Sequence, residues 1–365
     1  MLNLFITYKC NLSCDYCFVH GLGQLHPMSI SDADFQRLCV WLAEHQVPTL
    51  GILGGEPTLD KRLPDMLARL HDIGVAPVVF TNALFESSES RIGDDLSLAL
   101  KPKENDELIS ALCKHAANIV VNYNDPTNYS EIQIKRRESN LQKLQERGAH
   151  ITFSKNFAPG DTEWQYLIDA CRRFGVNAIR YDISRPNLNR TNSYINSSAY
   201  ESKCADDIQI CNSSQSIKQL QDNMKSHLVA SHDGTSRHIN DHIVEFVRAC
   251  EQASIMTGLD CCLPSCMFTT EQLQYLHATS LRFTHVCQPS IDIQTDLQVS
   301  YCMPLAQFAL SNVLDYNGEW ELMAGLSSMA KPLREKRPLA CEACEHYAKS
   351  CQGGCLALRA SDVCV

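Results

Sequence analysis

Cys10, Cys14 and Cys17 are spaced C-x3-C-x2-C directly behind the apolar run LNLFITY. Three thiolates on one short loop can hold three corners of a [4Fe–4S] cube and leave the fourth iron open to another ligand. The same thiols suit a zinc site completed by a nearby histidine such as His20, or three buried free cysteines. A second pattern, Gly54-Gly55-Glu56-Pro57, ends the apolar run TLGILGG. Glycines there let a ligand approach the backbone closely, and Glu56 can hold an ammonium group. The plainer alternative is a strand-end turn with a solvated glutamate. The last 25 residues hold five more cysteines, Cys341-x2-Cys344-x6-Cys351-x3-Cys355 followed by Cys364, behind a looser group from Cys261 to Cys302. C-x2-C pairs of this kind also suit a zinc ribbon.

The elements that must position these residues follow from hydrophobic periodicity. The runs at 2–8, 49–55, 77–82, 118–124, 150–156 and 177–183 read as buried parallel strands. Helical patterns lie between them. One follows Ser31, whose spacing to Asp34 resembles a capping box, and carries Phe35, Leu38, Cys39 and Leu42 on one face. Others cover about 61–73, 105–117, 135–147 and 162–174, the last two stopping at Gly148 and Gly175. Six β/α units make this an α/β chain with a parallel sheet, either doubly wound or an incomplete barrel. Ligands then belong at the C-terminal strand ends, where the triad and GGEP both fall. Residues 187–216 turn rich in Asn and Ser and read as a linker or a mobile loop over the site. A helical stretch is expected at 217–256, ahead of the cysteine-rich C-terminal third.

Composition narrows the function. The chain has 365 residues, 44% hydrophobic and 20% charged, which is ordinary for a globular protein with a sizeable core. No apolar run approaches the ~18 residues of a membrane helix. The opening MLNLFITYKC has no basic flank and cleavage site of a signal peptide, so a cytoplasmic protein is expected. A net charge of −10 argues against a general nucleic-acid binder. Nineteen cysteines, an odd number, point in a reducing compartment to metal or cofactor ligation rather than disulfides.

YKCNLSCDYC and GGEPTL in a (β/α)6 pattern together resemble the radical S-adenosylmethionine (SAM) enzymes, over about residues 1–185. The resemblance implies a partial (β/α)6 TIM-like barrel in which Cys10, Cys14 and Cys17 bind the cluster. SAM would chelate the fourth iron through its amino and carboxylate groups. Glu56 and the Gly54–Gly55 backbone would hold the methionyl ammonium, with Tyr16 near the adenine. One electron would cleave SAM to methionine and a 5′-deoxyadenosyl radical that takes a substrate hydrogen. Further SAM contacts are expected from Asn82, where Ala83 stands in place of a frequent glycine, from Asn122, where relatives often carry a serine, and from Ser154 and Arg180. Each has the alternative of a hydrogen-bonded barrel residue.

Residues 287–365 resemble the seven-cysteine SPASM extension of radical SAM enzymes that modify peptides. The departures are six residues after Cys344 in place of five, and Leu297 where a glycine often precedes the second cysteine. The family pattern implies one auxiliary cluster, expected as [4Fe–4S], on Cys341, Cys344, Cys351 and Cys364. A second would sit on Cys287, Cys302 and Cys355, with Cys266 or Cys262 as fourth ligand or an open iron. Cys39, Cys113, Cys171 and Cys250 fall in helical patterns and are expected in the core; Cys204 and Cys211 flank the polar stretch without an assigned role. His238 and His242 are expected on one solvated helix face rather than as a metal pair. Asp260, Tyr301 and the polar loop are candidates for substrate contact.

Three segments are expected: a radical SAM partial barrel (1–186), a polar and helical bridge (187–256) and an auxiliary cluster unit (257–365). The expected function is modification of a ribosomally made precursor peptide by a side-chain cross-link, C–C, C–O or thioether. Its partners would be the precursor, a flavodoxin or ferredoxin as electron donor, and a separate leader-recognition protein where the barrel or 187–256 does not bind the leader, because the chain starts almost at its first strand. A sulfatase-type maturase is an alternative, weakened because YCMPL has no acidic residue just after Cys302. Peptide epimerisation, small-molecule radical chemistry and a non-catalytic iron–sulfur or zinc scaffold are the others.

Overall fold

The chain is described from a computed structural model, which covers residues 1–14, 16–19, 21–85, 102–157, 163–184, 228–230, 236–306, 308–338 and 341–357. His20, the polar stretch 187–216, Cys204, Cys211 and Cys364 lie outside them. The six expected strands are all present: β1 (Leu2–Thr7), β2 (Thr49–Gly54), β3 (Ala76–Thr81), β4 (Asn118–Asn122), β5 (Ile151–Phe157) and β6 (Ala178–Ile183). They pair in chain order and in parallel. β1 is buried along its whole length, as an apolar run covered on both faces must be.

Local chemistry sets the helix ends. The α1 helix (Asp32–Glu44) starts where the Ser31 hydroxyl accepts the Asp34 N–H at 3.0 Å, half of the expected capping box. It turns Phe35, Leu38, Cys39 and Leu42 into the core. After α2 (Leu63–Asp72) and α3 (Pro102–His115), α4 (Glu131–Glu146) begins earlier than its apolar spacing suggests. Ser130 and Gln133 close a full capping box there. The α5 helix (Gln165–Phe174) stops at Gly175, whose φ of 64° is left-handed.

The sheet does not close into a barrel. Among the described residues it runs on past β6 through β9 (Met256–Leu259) and β10 (Ser280–Arg282), both parallel, making an eleven-stranded open sheet. At its other edge β11 (Asp292–Ile293) lies parallel to β1, and β12 (Gln298–Ser300) and β13 (Ala309–Asn312) follow antiparallel. The expected helix over 217–256 is corrected. Its described part is a two-stranded hairpin, β7 (Leu228–Ala230) with β8 (Ser236–His238), then α6 (Ile239–Gln252) and the start of β9. Among the described residues of this stretch, 239–252 carry the helical stripe, with Ile243, Phe246, Val247 and Cys250 inside. His238 and His242 therefore sit on different elements, and His242 is buried rather than solvated. The α7 helix (Thr270–Thr279), α8 (Glu319–Met329) and α9 (Lys331–Glu335) are the remaining α-helices among the described residues. Of the four expected core cysteines, Cys39, Cys171 and Cys250 are buried and Cys113 is half-buried against the core.

The C-terminal third is fastened to β1. Asn3 donates its amide to Asp292 Oδ1 (2.8 Å) and Ser290 Oγ (2.9 Å), and the Tyr8 hydroxyl donates to Gln294 (2.5 Å). Leu297, in the β11–β12 turn, holds a left-handed φ of 67° with its side chain fully buried. That position tolerates a glycine backbone, but the leucine offsets its strain by filling the core.

Burial pushes the Asp292 carboxyl up to about 6, against donors from Asn3, Ser290 and the Met303 backbone. The folded chain thus binds this proton more tightly than the unfolded one, whose carboxyl stays near 4. The stability the proton lends is complete below about pH 4 and lost as pH rises through about 6. Asp292→Asn should remove up to roughly 3 kcal/mol of that decline. Urea unfolding at pH 4 and 6.5 checks it; equal declines in both proteins would contradict the assignment.

Candidate functional site

The C-terminal ends of β1 to β5 and the loop after β1 enclose a cavity of about 680 Å³, within the usual range for a small-molecule site. Cys10, Cys14 and Cys17, the Gly54-Gly55-Glu56 turn, and Phe80, Asn82, Asn122 and Ser154 all line it. Residues far apart in sequence are thus brought to one space, with Tyr16 beside them.

The glycine pair, which lines the cavity, is also required by the chain itself. A Cβ on Gly54 would lie 2.6 Å from the Thr7 carbonyl oxygen, and one on Gly55 2.3 Å from that of Lys9. The Gly55 N–H donates to Thr7 (2.8 Å) and the Glu56 N–H to Lys9 (2.7 Å). The exit of β2 is thereby riveted to the exit of β1, where the cysteine loop begins.

Glu56 is 1% exposed, so the solvated alternative fails. Its Oε1 accepts from the Thr58 N–H (3.1 Å), the Thr58 hydroxyl (2.6 Å) and the Thr81 hydroxyl (2.7 Å), and its Oε2 from the Asn82 N–H (2.7 Å). Burial raises its carboxyl above the ordinary range while these donors oppose it. Oε1 is saturated; Oε2 keeps acceptor capacity for one further donor in the cavity. Asn82 passes the link on, donating to Asn11 Oδ1 (2.8 Å) between the first two cysteines. Ala83 next to it has a φ of 60°, a conformation glycine adopts more cheaply.

The Tyr16 hydroxyl donates to Asn124 Oδ1 (2.8 Å) and accepts from Asn122 (2.9 Å), so Asn122 is held by the tyrosine. Behind them Arg137 is fully buried, its guanidinium 3.9 Å over Tyr123 and 4.4 Å over Tyr129 and donating to the Asn124 carbonyl. Sequence reading missed Asn124 and Arg137. The signal was available for the arginine, which stands on the apolar stripe Ile134, Arg137, Leu141, Leu144 of α4. Ser154 faces the cavity, but Arg180, its register partner on β6, does not line it. Arg180 instead donates to Asp260 Oδ1 (2.6 Å) and stacks 4.8 Å over Phe80. Asp260, a candidate substrate contact by sequence, is this arginine's partner.

Burial, reinforced by Glu56 and the other two thiols, pushes Cys10 up to about 12. Thiolates in such a place need a positive centre to face. Among the described residues no three His, Cys, Asp or Glu side chains group closely enough to hold a metal ion. Thiols around a multi-iron cube stand farther apart than thiols wrapped on one ion at ~2.3 Å. A soft, all-sulfur donor set lining an open cavity fits an iron–sulfur cube with a free iron.

The C-terminal thiols form two groups. Cys287 is buried beside Cys262 and Cys355, and the half-buried Cys302 lies within electrostatic reach of Cys355, Cys261 and Cys287. Cys266, expected as an alternative to Cys262 here, lies in the other group, with Cys344 and Cys351 as its neighbours. Tyr301, a candidate substrate contact, is fully buried. Its hydroxyl donates to the Cys287 carbonyl (3.2 Å) and accepts from Arg334 (2.6 Å).

Residues 4–165 match the family model described as the radical SAM superfamily. This part of the chain is a radical SAM domain, and that domain implies a [4Fe–4S] cluster and SAM. A probable GTP 3′,8-cyclase of Methanococcus maripaludis is 24% identical over 180 residues, 47% of this chain and 55% of the relative. The chain spans from a quarter to just over half of the first such relatives. In fold it resembles anSMEcpe with bound AdoMet and Kp18Cys peptide, at a TM-score of 0.56 and 13% identity over 97% of this chain and 88% of that one. It also resembles Streptococcus suis SuiB bound to its precursor peptide SuiA, at 0.51 and 13% over 92% and 66%. No helix of the described residues is long and apolar enough to cross a membrane.

Gly55→Ala should cost at least ~2 kcal/mol, because the Lys9 backbone cannot move off the new methyl without breaking the Glu56–Lys9 hydrogen bond. A lowered urea midpoint checks this; an unchanged midpoint would contradict the rivet.

Proposed function

We propose that the chain is a radical SAM enzyme acting on a peptide, with Cys10, Cys14 and Cys17 as cluster ligands. The observation that carries the reading is that three thiols and a buried, hydrogen-bonded Glu56 line one and the same cavity. With cluster and SAM bound, the chemistry supplied is one-electron reductive cleavage of SAM, giving a carbon radical that takes a hydrogen from the substrate.

The chain's own residues hold the geometry. Glu56 Oε2 and the Gly54–Gly55 backbone receive the methionyl ammonium. Asn82 fixes the cysteine loop, and Tyr16, tethered by Asn122 and Asn124, borders the adenine. Ser154 reaches the ribose. Arg180 supports Phe80 from behind rather than touching SAM. The product is a side-chain cross-link on a ribosomally made precursor, with a flavodoxin or ferredoxin as electron donor. Cys287, Cys302, Cys355 and Cys262 serve one auxiliary cluster and the terminal cysteines another.

Support for a peptide comes from coverage. The peptide-bound neighbours share fold over 92% and 97% of the chain, whereas the cyclase relative matches 47%. Substrate choice lies in the parts outside a shared cofactor domain. The sequence relatives favour a second reading, cyclisation of GTP, which the same assay tests with GTP in place of peptide.

Glu56→Gln keeps shape and removes charge, costing a charge-assisted hydrogen bond of about 1.5–3 kcal/mol. The expected result is a 10- to 100-fold loss of 5′-deoxyadenosine formation with iron content unchanged. A scaffold protein would form none in either version. An equal rate in wild type and variant would remove Glu56 from the SAM site.

A further inference from the structure

The terminal thiols Cys341, Cys344 and Cys351 need one more thiolate to close around a cube. Family spacing points to Cys364; the described residues offer another thiol, Cys266. Cys266 sits in the short turn Ser265–Met267 behind Pro264. Among the described residues it is the one exposed cysteine, and Cys351 and Cys344 are close enough to act electrostatically on it.

Two contacts press this segment onto the terminal loop. Gly354 packs so tightly beneath Pro264 that a Cβ on it would come within 3.1 Å of the proline Cδ. His285 bridges the same two stretches. Its ring Nδ1 lies 2.7 Å from the Leu263 carbonyl, and its own carbonyl accepts the Gln352 N–H at 3.4 Å. The rigid Pro264 turn also sorts the cysteines. On one side Cys262 is buried against Cys287; on the other Cys266 emerges beside Cys344 and Cys351. One short segment thus serves two separate thiol groups.

We propose that Cys266 is the fourth thiolate of the group formed by Cys341, Cys344 and Cys351, in place of Cys364. Ligation releases the Cys266 S–H proton to solvent and forms one iron–sulfur bond, with no change of oxidation state. The site is then closed by a strap from the β9–α7 connection. The inference rests on the auxiliary-cluster reading given above.

The test uses the full chain, purified anaerobically, as wild type, Cys266→Ala and Cys364→Ala, with iron and acid-labile sulfide counted per chain. Wild type is expected to carry about twelve irons, four per cube. Cys266→Ala should lose about four of them and Cys364→Ala none, with the SAM-responsive spectrum of the N-terminal cluster intact in both. If Cys266→Ala does not fold, Cys266→Ser keeps the volume and should shift the Mössbauer signature of one cluster, which Cys364→Ser leaves alone. Twelve irons retained in Cys266→Ala, or four lost from Cys364→Ala, overturns the inference while leaving the auxiliary clusters standing. A wild type holding only about four irons overturns both.

Discussion

One buried carboxylate organises the mouth of this fold. Glu56 sits where three strand exits meet, its backbone N–H on Lys9 after β1 and its side chain gathering Thr58, Thr81 and Asn82 from β2 and β3. A buried charge is costly unless several donors surround it, and here four do. The same charge fixes the loop that carries Cys10, Cys14 and Cys17 through Asn82 and Asn11. It also leaves Oε2 with capacity for one further donor at the cavity. Structure and chemistry therefore depend on one side chain, which explains why the glycines beside it must admit backbone rather than side chain.

The open sheet gives that mouth its depth. A closed barrel would fill its interior with side chains, whereas here the edges are continued by short strands from the C-terminal third. Asn3, Tyr8 and Trp41 fasten this part to the start of the chain, the indole donating to the Tyr316 carbonyl at 2.8 Å. The second set of thiols is thereby held to the frame that holds the first. Arg180 and Asp260 couple β6 to the Cys261–Cys266 segment in the same way.

Much of this was legible in the sequence because buried parallel strands read as continuous apolar runs, and all six did. The added strands were not, since two to four residues such as Asp292–Ile293 carry no periodicity. The triad and GGEP were legible as a pair, but the burial of Glu56 and the reason for Gly54 and Gly55 depend on the approach of β1, which no local pattern records. The Arg180–Asp260 pair was not legible, because strand alternation cannot say whether a long side chain turns to a cavity or to a carboxylate beyond the end of a neighbouring strand. The partition of Cys262 from Cys266 hangs on the packing of Pro264 against Gly354, a contact between segments distant in sequence.

The central claim is that Cys10, Cys14 and Cys17 leave one iron of a cube open toward the Glu56 side of the cavity. Low-temperature electron paramagnetic resonance of the anaerobically reduced protein, recorded before and after adding SAM, tests it most directly. The account predicts a reduced-cluster signal that shifts when SAM occupies the open iron, and no such shift when the three cysteines are replaced by alanine. A signal indifferent to SAM, or a protein that carries zinc and no iron, would contradict it.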